Sequence, residues 1–189
     1  MNIGLFFGSF NPVHLGHIKV VSKILNEDIF DQLWIILSPQ SPHKTQDLAK
    51  KNFRLKMLEL AFKKFKNVLV SDVEFNLSEP NFTFDTISFL TTKFPSYKFS
   101  IIMGSDNLQN FHTWKDYKEI NKNFFIYVYP RGKIEIKNKL IYKNVIYLDL
   151  PKFNISATEI RKNLSINNLE VKKTLPSEVY SYILKNRIY

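Results

Sequence analysis

Near the amino end stands Ile3-Gly4-Leu5-Phe6-Phe7-Gly8-Ser9-Phe10-Asn11-Pro12-Val13-His14-Leu15-Gly16-His17, continued by Ile18-Lys19-Val20-Val21-Ser22-Lys23-Ile24-Leu25. Ile3 to Phe7 form an unbroken apolar run, the pattern of a buried strand. Leu15 onward repeats apolar residues at helical spacing. The residues between therefore sit on a strand-to-helix turn, at the carboxyl end of a strand, where open α/β sheets bind ligands. Gly8 lets backbone approach a ligand closely. Pro12 fixes the turn and suits a helix start. His14 and His17, three apart, share one face of a first helical turn. The helix start supplies unpaired N–H groups and a positive dipole end, which suit phosphate.

Two plainer readings of this stretch exist. One is a glycine turn with two surface histidines. The other is a His-x-x-His metal pair, but no carboxylate or cysteine accompanies it at a zincin-like spacing. Structural zinc gathers four ligands and catalytic zinc three.

Beyond the first helix, apolar runs alternate with amphipathic ones. Strands are expected at Asn2–Phe7, Gln32–Ser38, Asn67–Asp72, Tyr97–Met103, Phe124–Tyr129 and Val145–Leu148. Helices are expected at Leu15–Asn26, Asp47–Phe65, Phe82–Phe94, Asn107–Phe111 with Lys115–Asn121, Ala157–Leu164 and Ser177–Asn186. That order predicts an α/β fold, a doubly wound parallel sheet, in a single domain over residues 1–189. Pro39–Gln46 and Phe75–Asn81 follow strands and suit substrate loops. Arg131–Asn144 reads as a hairpin or an excursion.

Composition narrows the class. The chain has no cysteine, so neither a disulfide framework nor thiol chemistry is available. No basic region precedes the first apolar run, as a signal peptide would need, and no apolar run is long enough to span a membrane. A cytoplasmic protein with no membrane partner is expected. The net charge is +10. Its cations are mostly lysine, arginine standing only at Arg54, Arg131, Arg161 and Arg187. Lysine lacks the planar fork suited to reading bases and phosphates. The charges are dispersed and no reading helix is visible, which argues against a nucleic-acid partner. A bias toward phosphate-bearing substrates remains. Self-association into a homo-oligomer is left open.

Other segments carry chemistry. In Ile155-Ser156-Ala157-Thr158-Glu159-Ile160-Arg161, Ser156 and Glu159 have the spacing of a capping box. A capped helix start is itself an anion site. Ser38-Pro39-Gln40-Ser41-Pro42-His43-Lys44 is a stiff loop bearing a point charge at Lys44. Asp106 in Gly104-Ser105-Asp106-Asn107-Leu108 suits an N-cap. Phe111 and Trp114 read either as core or as a ligand-facing pair.

The first stretch resembles the (H/T)xGH signature of the nucleotidyltransferase superfamily, and Ile155–Arg161 resembles its ISSTxIR motif with Ala157 at the second serine. Ser38–Lys44 resembles the SPxxPPHK loop of the nicotinate-nucleotide adenylyltransferase family, with Ser41 at the first proline of PPHK. Phe82-Thr83-Phe84-Asp85-Thr86 resembles that family's YTxDTL, and Gly104–Leu108 its GxDxL. Phe111-His112-Thr113-Trp114 resembles its ring-stacking segment. Tyr129-Pro130-Arg131-Gly132 resembles its RPG turn with Pro and Arg exchanged. Pro176–Ile183 resembles its closing LPxxVxxYI.

The resemblance implies a Rossmann-like nucleotidyltransferase fold and transfer of an adenylyl group from ATP to nicotinate mononucleotide. It implies catalytic roles for His14 and His17. It implies ATP contacts from Gly8, Ser9, Phe10, His14, Gly16, His17, Gly104, Asp106, Ile155, Ser156, Thr158 and Arg161. It implies acceptor contacts from Lys44, Thr83, Thr86, Trp114 and Arg131. Mg²⁺ would arrive with ATP, with no resident metal. The related pantetheine-phosphate adenylyltransferases carry Thr where His14 stands and lack the loop ending in Lys44 and the stacking tryptophan.

Overall fold

The computed structural model describes residues 1–40, 48–132 and 142–189. Six strands form one sheet: β1 (Asn2–Gly8), β2 (Gln32–Leu37), β3 (Val68–Ser71), β4 (Lys98–Gly104), β5 (Phe125–Tyr129) and β6 (Val145–Tyr147). Their order is β3-β2-β1-β4-β5-β6, and every pairing is parallel. Around the sheet lie α1 (Leu15–Asn26), α2 (Lys51–Phe62), α3 (Thr83–Lys93), α4 (Ser105–Gln109), α5 (Tyr117–Asn123), α6 (Ala157–Ser165) and α7 (Ser177–Asn186). This is the doubly wound parallel α/β sheet that the alternation predicts.

The unbroken apolar strands are explained by burial on both faces. Along β1, Ile3 and Leu5 enter one core and Phe6 the other. Along β2, Trp34 and Ile36 join the first, while Leu33, Ile35 and Leu37 join the second. The period of two is the pleat itself. Each of these side chains stabilises the sheet by about 1.5–3 kcal/mol on burial. Among the described residues no helix is long and apolar enough to cross a membrane.

Departures from the expected elements are local. Helix α2 runs Lys51–Phe62, shorter than Asp47–Phe65, and Asp47 lies outside the described residues. Helix α4 starts at Ser105 because Gly104, extended at φ −74° and ψ 153°, is its N-cap, so Asp106 sits inside the first turn. Phe111–Thr113 is a separate 3-10 turn. Helix α5 begins at Tyr117 because Asp116, left-handed at φ 51°, interrupts the backbone. Pro12 precedes the N-cap His14 by two residues and stands outside α1. Val73–Asn76 and Leu169–Thr174 are 3-10 turns that periodicity does not reveal. Most of the stretch after Arg131 lies outside the described residues.

Chain connections from β1 and β4, neighbours at the centre, depart toward opposite edges of the sheet. A crevice opens between their carboxyl ends, at Gly8 and Gly104. One side chain secures its rim. Arg54, on the buried face of α2, is 1% exposed. Its Nε donates to Ala49 O at 2.7 Å, and its Nη1 donates to Ser9 O and Ser38 O at 2.8 Å each. Its Nη2 donates to Pro39 O. The planar guanidinium thus ties the loop after β1 to the loop after β2. Burial lowers its pKa to about 10, which leaves it charged at neutral pH.

Arg54→Leu should therefore destabilise the fold by about 3–5 kcal/mol, because several buried carbonyls lose a charge-assisted donor. For a chain of this size that is a melting temperature lower by roughly 10 °C. Arg54→Lys should recover only part of the loss, since an ammonium lacks the fork. Thermal unfolding followed by circular dichroism checks both; near wild-type melting for Arg54→Leu would remove the clamp.

Candidate active site

The loop after β1 is tightly made. Phe10 is left-handed, at φ 41°, a conformation costing a bulky residue on the order of 1–3 kcal/mol. Its ring is 3% exposed and lies against Gly8, where a Cβ would come within 2.9 Å of the ring. Phe10 and Phe6 meet His17 edge-on, at centroid distances of 5.0 and 6.1 Å.

The two histidines of the motif do share a face. His14 is the N-cap of α1 and His17 stands three residues on. Their rings stack at 3.7 Å and 24°. The backbone N–H of His14 donates to His17 Nδ1 at 3.2 Å. A neutral His17 whose Nδ1 accepts carries its proton on Nε2, which makes that nitrogen a donor. Gly16 leaves room for the neighbouring ring, since a Cβ there would lie 3.0 Å from His14 Nδ1. His14 is only 3% exposed, and its ring nitrogens have no hydrogen-bond partner among the described residues. Burial first, and the Arg131 cation second, push its pKa down to about 3. His14 is an uncharged ring behind His17.

His17 lines a cavity of about 200 Å³ with Ser9, Phe10, Asn11, Asp106, Arg131, Ser156, Thr158 and Arg161. Residues from the two motifs, far apart in sequence, thus form one wall. Arg161 Nη1 donates to Asn11 O at 2.8 Å, and Arg161 Nη2 to Thr158 Oγ1 at 3.4 Å. Asp106 lies 3.6 Å from Arg131 Nε. Ser105, 1% exposed, grips the Arg131 backbone by accepting from its N–H and donating to its C=O, both at 2.9 Å. The expected capping box at Ser156 is not closed: Ser156 is the N-cap of α6, but its side chain makes no capping bond. Its hydroxyl borders the cavity instead. Gly104 caps α4, and Ile155 lies to one side, in a small recess with His14 and Gly16. Two guanidinium groups, a histidine and a helix start make this cavity suited to an anion.

A second cavity, of about 380 Å³, is lined by Glu74, Asn81, Thr83, Asn110, Trp114 and Lys115 among others. Both cavities share Phe7, Gly8, Ser9 and Asn107 as wall. Trp114 faces this space, whereas Phe111 is fully buried beneath it, with centroids 5.6 Å apart. Thr86 is fully buried and does not border the cavity; its hydroxyl donates to Glu74 Oε1 at 2.8 Å. Arg131 lies in the smaller cavity, with Asp106, apart from Trp114. Lys44 lies outside the described residues.

Several site residues escape a reading of the sequence. Glu74 is 2% exposed, and burial raises its pKa. Lys115 pairs with Asp85 at 2.7 Å on the rim of the larger cavity. Neither falls in a motif of recognisable chemistry. Arg54 carries the one available signal: it stands with Met57, Leu58 and Phe62 on the buried face of α2.

The buried neutral ring of His14 sets a pH dependence. Its folded pKa lies below its unfolded value, so the unfolded chain binds more protons in acid. Stability is complete above the unfolded value of 6.5 and falls as the pH drops toward about 3. From pH 7 to pH 5 the loss should be about 2 kcal/mol. His14→Gln should flatten that part of the profile; chemical denaturation at several pH values measures it, and an unchanged slope would mean a hydrated ring.

Comparison with known proteins shows the family and the fold. Residues 5–163 match the cytidylyltransferase-like family. A probable nicotinate-nucleotide adenylyltransferase of Flavobacterium psychrophilum is 39% identical, with all of this chain and 99% of that protein aligned. One of Bacteroides fragilis is 34% identical over 96% of this chain and 90% of its own length. A solved structure, the Plasmodium falciparum nicotinic acid mononucleotide adenylyltransferase complexed with NaAD, superposes with a TM-score of 0.85. It is 22% identical, covering 100% of this chain and 97% of that one, and shows the common fold. The chain belongs to the cytidylyltransferase-like family, within its nicotinate-nucleotide adenylyltransferases.

Proposed function

We propose that this chain transfers the adenylyl group of ATP to nicotinate mononucleotide, forming nicotinate adenine dinucleotide and pyrophosphate, a step of NAD biosynthesis. One observation carries the reading: an anion-suited cavity and a larger cavity faced by Trp114 meet at a shared wall of Phe7, Gly8, Ser9 and Asn107. Two substrates held on either side of that wall are brought together there. The acceptor's phosphate oxygen attacks the α-phosphorus of ATP. The bond to the β-phosphate breaks, and pyrophosphate leaves with that electron pair.

Catalysis of this kind rests on positioning and on neutralising charge. His17 donates to a triphosphate oxygen from Nε2. His14 braces the ring of His17 from behind. Backbone of Gly8, Ser9 and Phe10 follows the phosphates, with Gly16 and Ile155 shaping the approach. Arg161, Ser156 and Thr158 hold the departing pyrophosphate. Gly104 and Asp106 face the adenosine ribose. Trp114 stacks on the pyridine ring, Thr83 and Thr86 order the wall beside it, and Lys44 meets the acceptor phosphate. Arg131, which the resemblance assigns to the acceptor, lines the cavity of the triphosphate instead. Among the described residues no three His, Asp or Glu gather to hold a metal. Mg²⁺ would come with ATP, held mainly by phosphate and water, and would lower the charge on the triphosphate.

Pyrophosphate release with ATP and four acceptors tests the reading: nicotinate mononucleotide, nicotinamide mononucleotide, phosphopantetheine and glycerol phosphate. The nicotinate compound should be preferred to its amide by at least about tenfold in kcat/KM, or 1.4 kcal/mol. A site whose donors await a carboxylate leaves an amide NH₂ mispaired, at about 1–3 kcal/mol. Trp114→Ala should weaken both without reversing the order. Equal use of the amide would make this a nicotinamide-type or dual-specificity enzyme.

Within the same site, His17→Ala should lower turnover by about 10²–10⁴, the scale of losing a preorganised donor to developing charge. Arg161→Ala should cost about 1.5–3 kcal/mol in ATP use and much less in acceptor use. Steady-state kinetics on folded variants read both. Wild-type turnover in His17→Ala would remove that ring from the mechanism.

A further inference from the structure

Asn11 stands between the two motifs and is 3% exposed. Its backbone carbonyl oxygen accepts from Arg161 Nη1 at 2.8 Å. Its Oδ1 takes two further donors: Ala49 N–H at 3.0 Å and the hydroxyl of Tyr189 at 2.7 Å. Tyr189 is delivered by the segment after α7, which packs against α2. Helix α7 ends at Asn186, and Arg187 then turns left-handed, at φ 51° and ψ 52°. Ile188 N–H closes that turn on Ile183 O at 3.2 Å. The chain doubles back, and Tyr189 packs on the core beside α7 with its hydroxyl on Asn11.

We infer that Tyr189 is a positioning residue for the phosphate-binding wall: its hydroxyl anchors the Asn11 side chain, and so fixes the loop segment whose backbone carbonyl seats Arg161. Tyr189 is not among the residues bordering the smaller cavity, whereas Asn11 and Arg161 are. It therefore acts through Asn11 and not by touching a substrate. The link has little slack. Asn11 cannot rotate without giving up a bond to Ala49, and Ala49 is tied to Arg54 through its own carbonyl. Loss of the hydroxyl removes the 2.7 Å donor from Asn11 Oδ1. Burial raises the Tyr189 pKa, so the hydroxyl keeps its proton through the neutral and mildly alkaline range. The assignment rests on the adenylyl-transfer reading for its substrate, ATP, but its test does not require turnover.

Tyr189→Phe removes the oxygen and keeps the ring. Calorimetric titration with ATP in the absence of acceptor should show binding weakened about five- to tenfold, the range of one net hydrogen bond. The KM for nicotinate mononucleotide should stay within about twofold, and the melting temperature close to wild type. In an Arg161→Lys background, which keeps the charge but not the fork, the effect of Tyr189→Phe on ATP binding should shrink below about twofold, because the two changes break one chain of contacts. Unchanged ATP affinity in Tyr189→Phe, equal weakening of both substrates, or full additivity with Arg161→Lys would overturn the assignment. A Tyr189→Phe protein that does not fold would overturn it too, by making the hydroxyl a stability element. Wild-type protein that binds ATP yet forms no dinucleotide would sink the acceptor assignment while leaving this test valid.

Discussion

A buried guanidinium with no carboxylate partner among the described residues organises the site. Arg54 places its donors on carbonyl oxygens of Ala49, Ser9, Ser38 and Pro39. A charge taken out of water is costly unless polar groups replace the water it loses, and here carbonyl dipoles replace it. Ser9, Ser38 and Pro39 belong to the loop after β1 and to the start of the loop after β2, which border the two cavities between them, and Ala49 stands just before α2. The left-handed Phe10 follows directly on Ser9, so the strain of that backbone is borne by a neighbour fixed from below. Asn11 extends the same frame across to α6 through Arg161.

On this frame the charge of the site is divided by depth. Arg161, Arg131 and His17 border the smaller cavity and face what enters it. His14 lies behind and is uncharged, because burial and the Arg131 cation both disfavour its protonation. The inner ring thus adds no positive charge to a region already holding two guanidinium groups, and it fixes His17 by stacking and through its backbone N–H. Asp106 tempers Arg131 at 3.6 Å, so the wall offers both an acceptor and donors. That mixture suits a nucleotide, which brings phosphate oxygens and ribose hydroxyls together.

The parallel doubly wound class, the motif turn and most elements were legible in the sequence, because burial on both faces writes parallel strands as apolar runs, whereas the strand order comes from the structure. The helix starts at Leu15 and Ala157 were legible from local spacing and capping residues. What was not legible depends on contacts distant in sequence. The open cap of Ser156 contradicts a spacing rule, because the rule sees the backbone and not the cavity beside it. The neutrality of His14 follows from burial against residues of other segments, which a pattern of spacings does not contain. The early start of α4 and late start of α5 follow from an extended Gly104 and a left-handed Asp116. Trp114 and Phe111 were ambiguous at the same spacing, and only the packing separates a cavity wall from a core residue. Arg54 entered the sequence reading only as one of four arginines, because its four carbonyl partners come from three separate stretches of chain.

The central claim is that the two substrates meet directly at the wall shared by the cavities, with no adenylyl group passing through the protein. The arrangement of His17 supports this: its Nδ1 accepts a backbone N–H, leaving a proton rather than a lone pair on Nε2. The stereochemical course at phosphorus tests it most directly. ATP bearing sulfur at one non-bridging position of the α-phosphate, in a single configuration, is converted with nicotinate mononucleotide, and the configuration of the dinucleotide is determined. A single in-line displacement predicts inversion at the α-phosphorus. Retention would require two displacements through a covalent intermediate and would contradict the account.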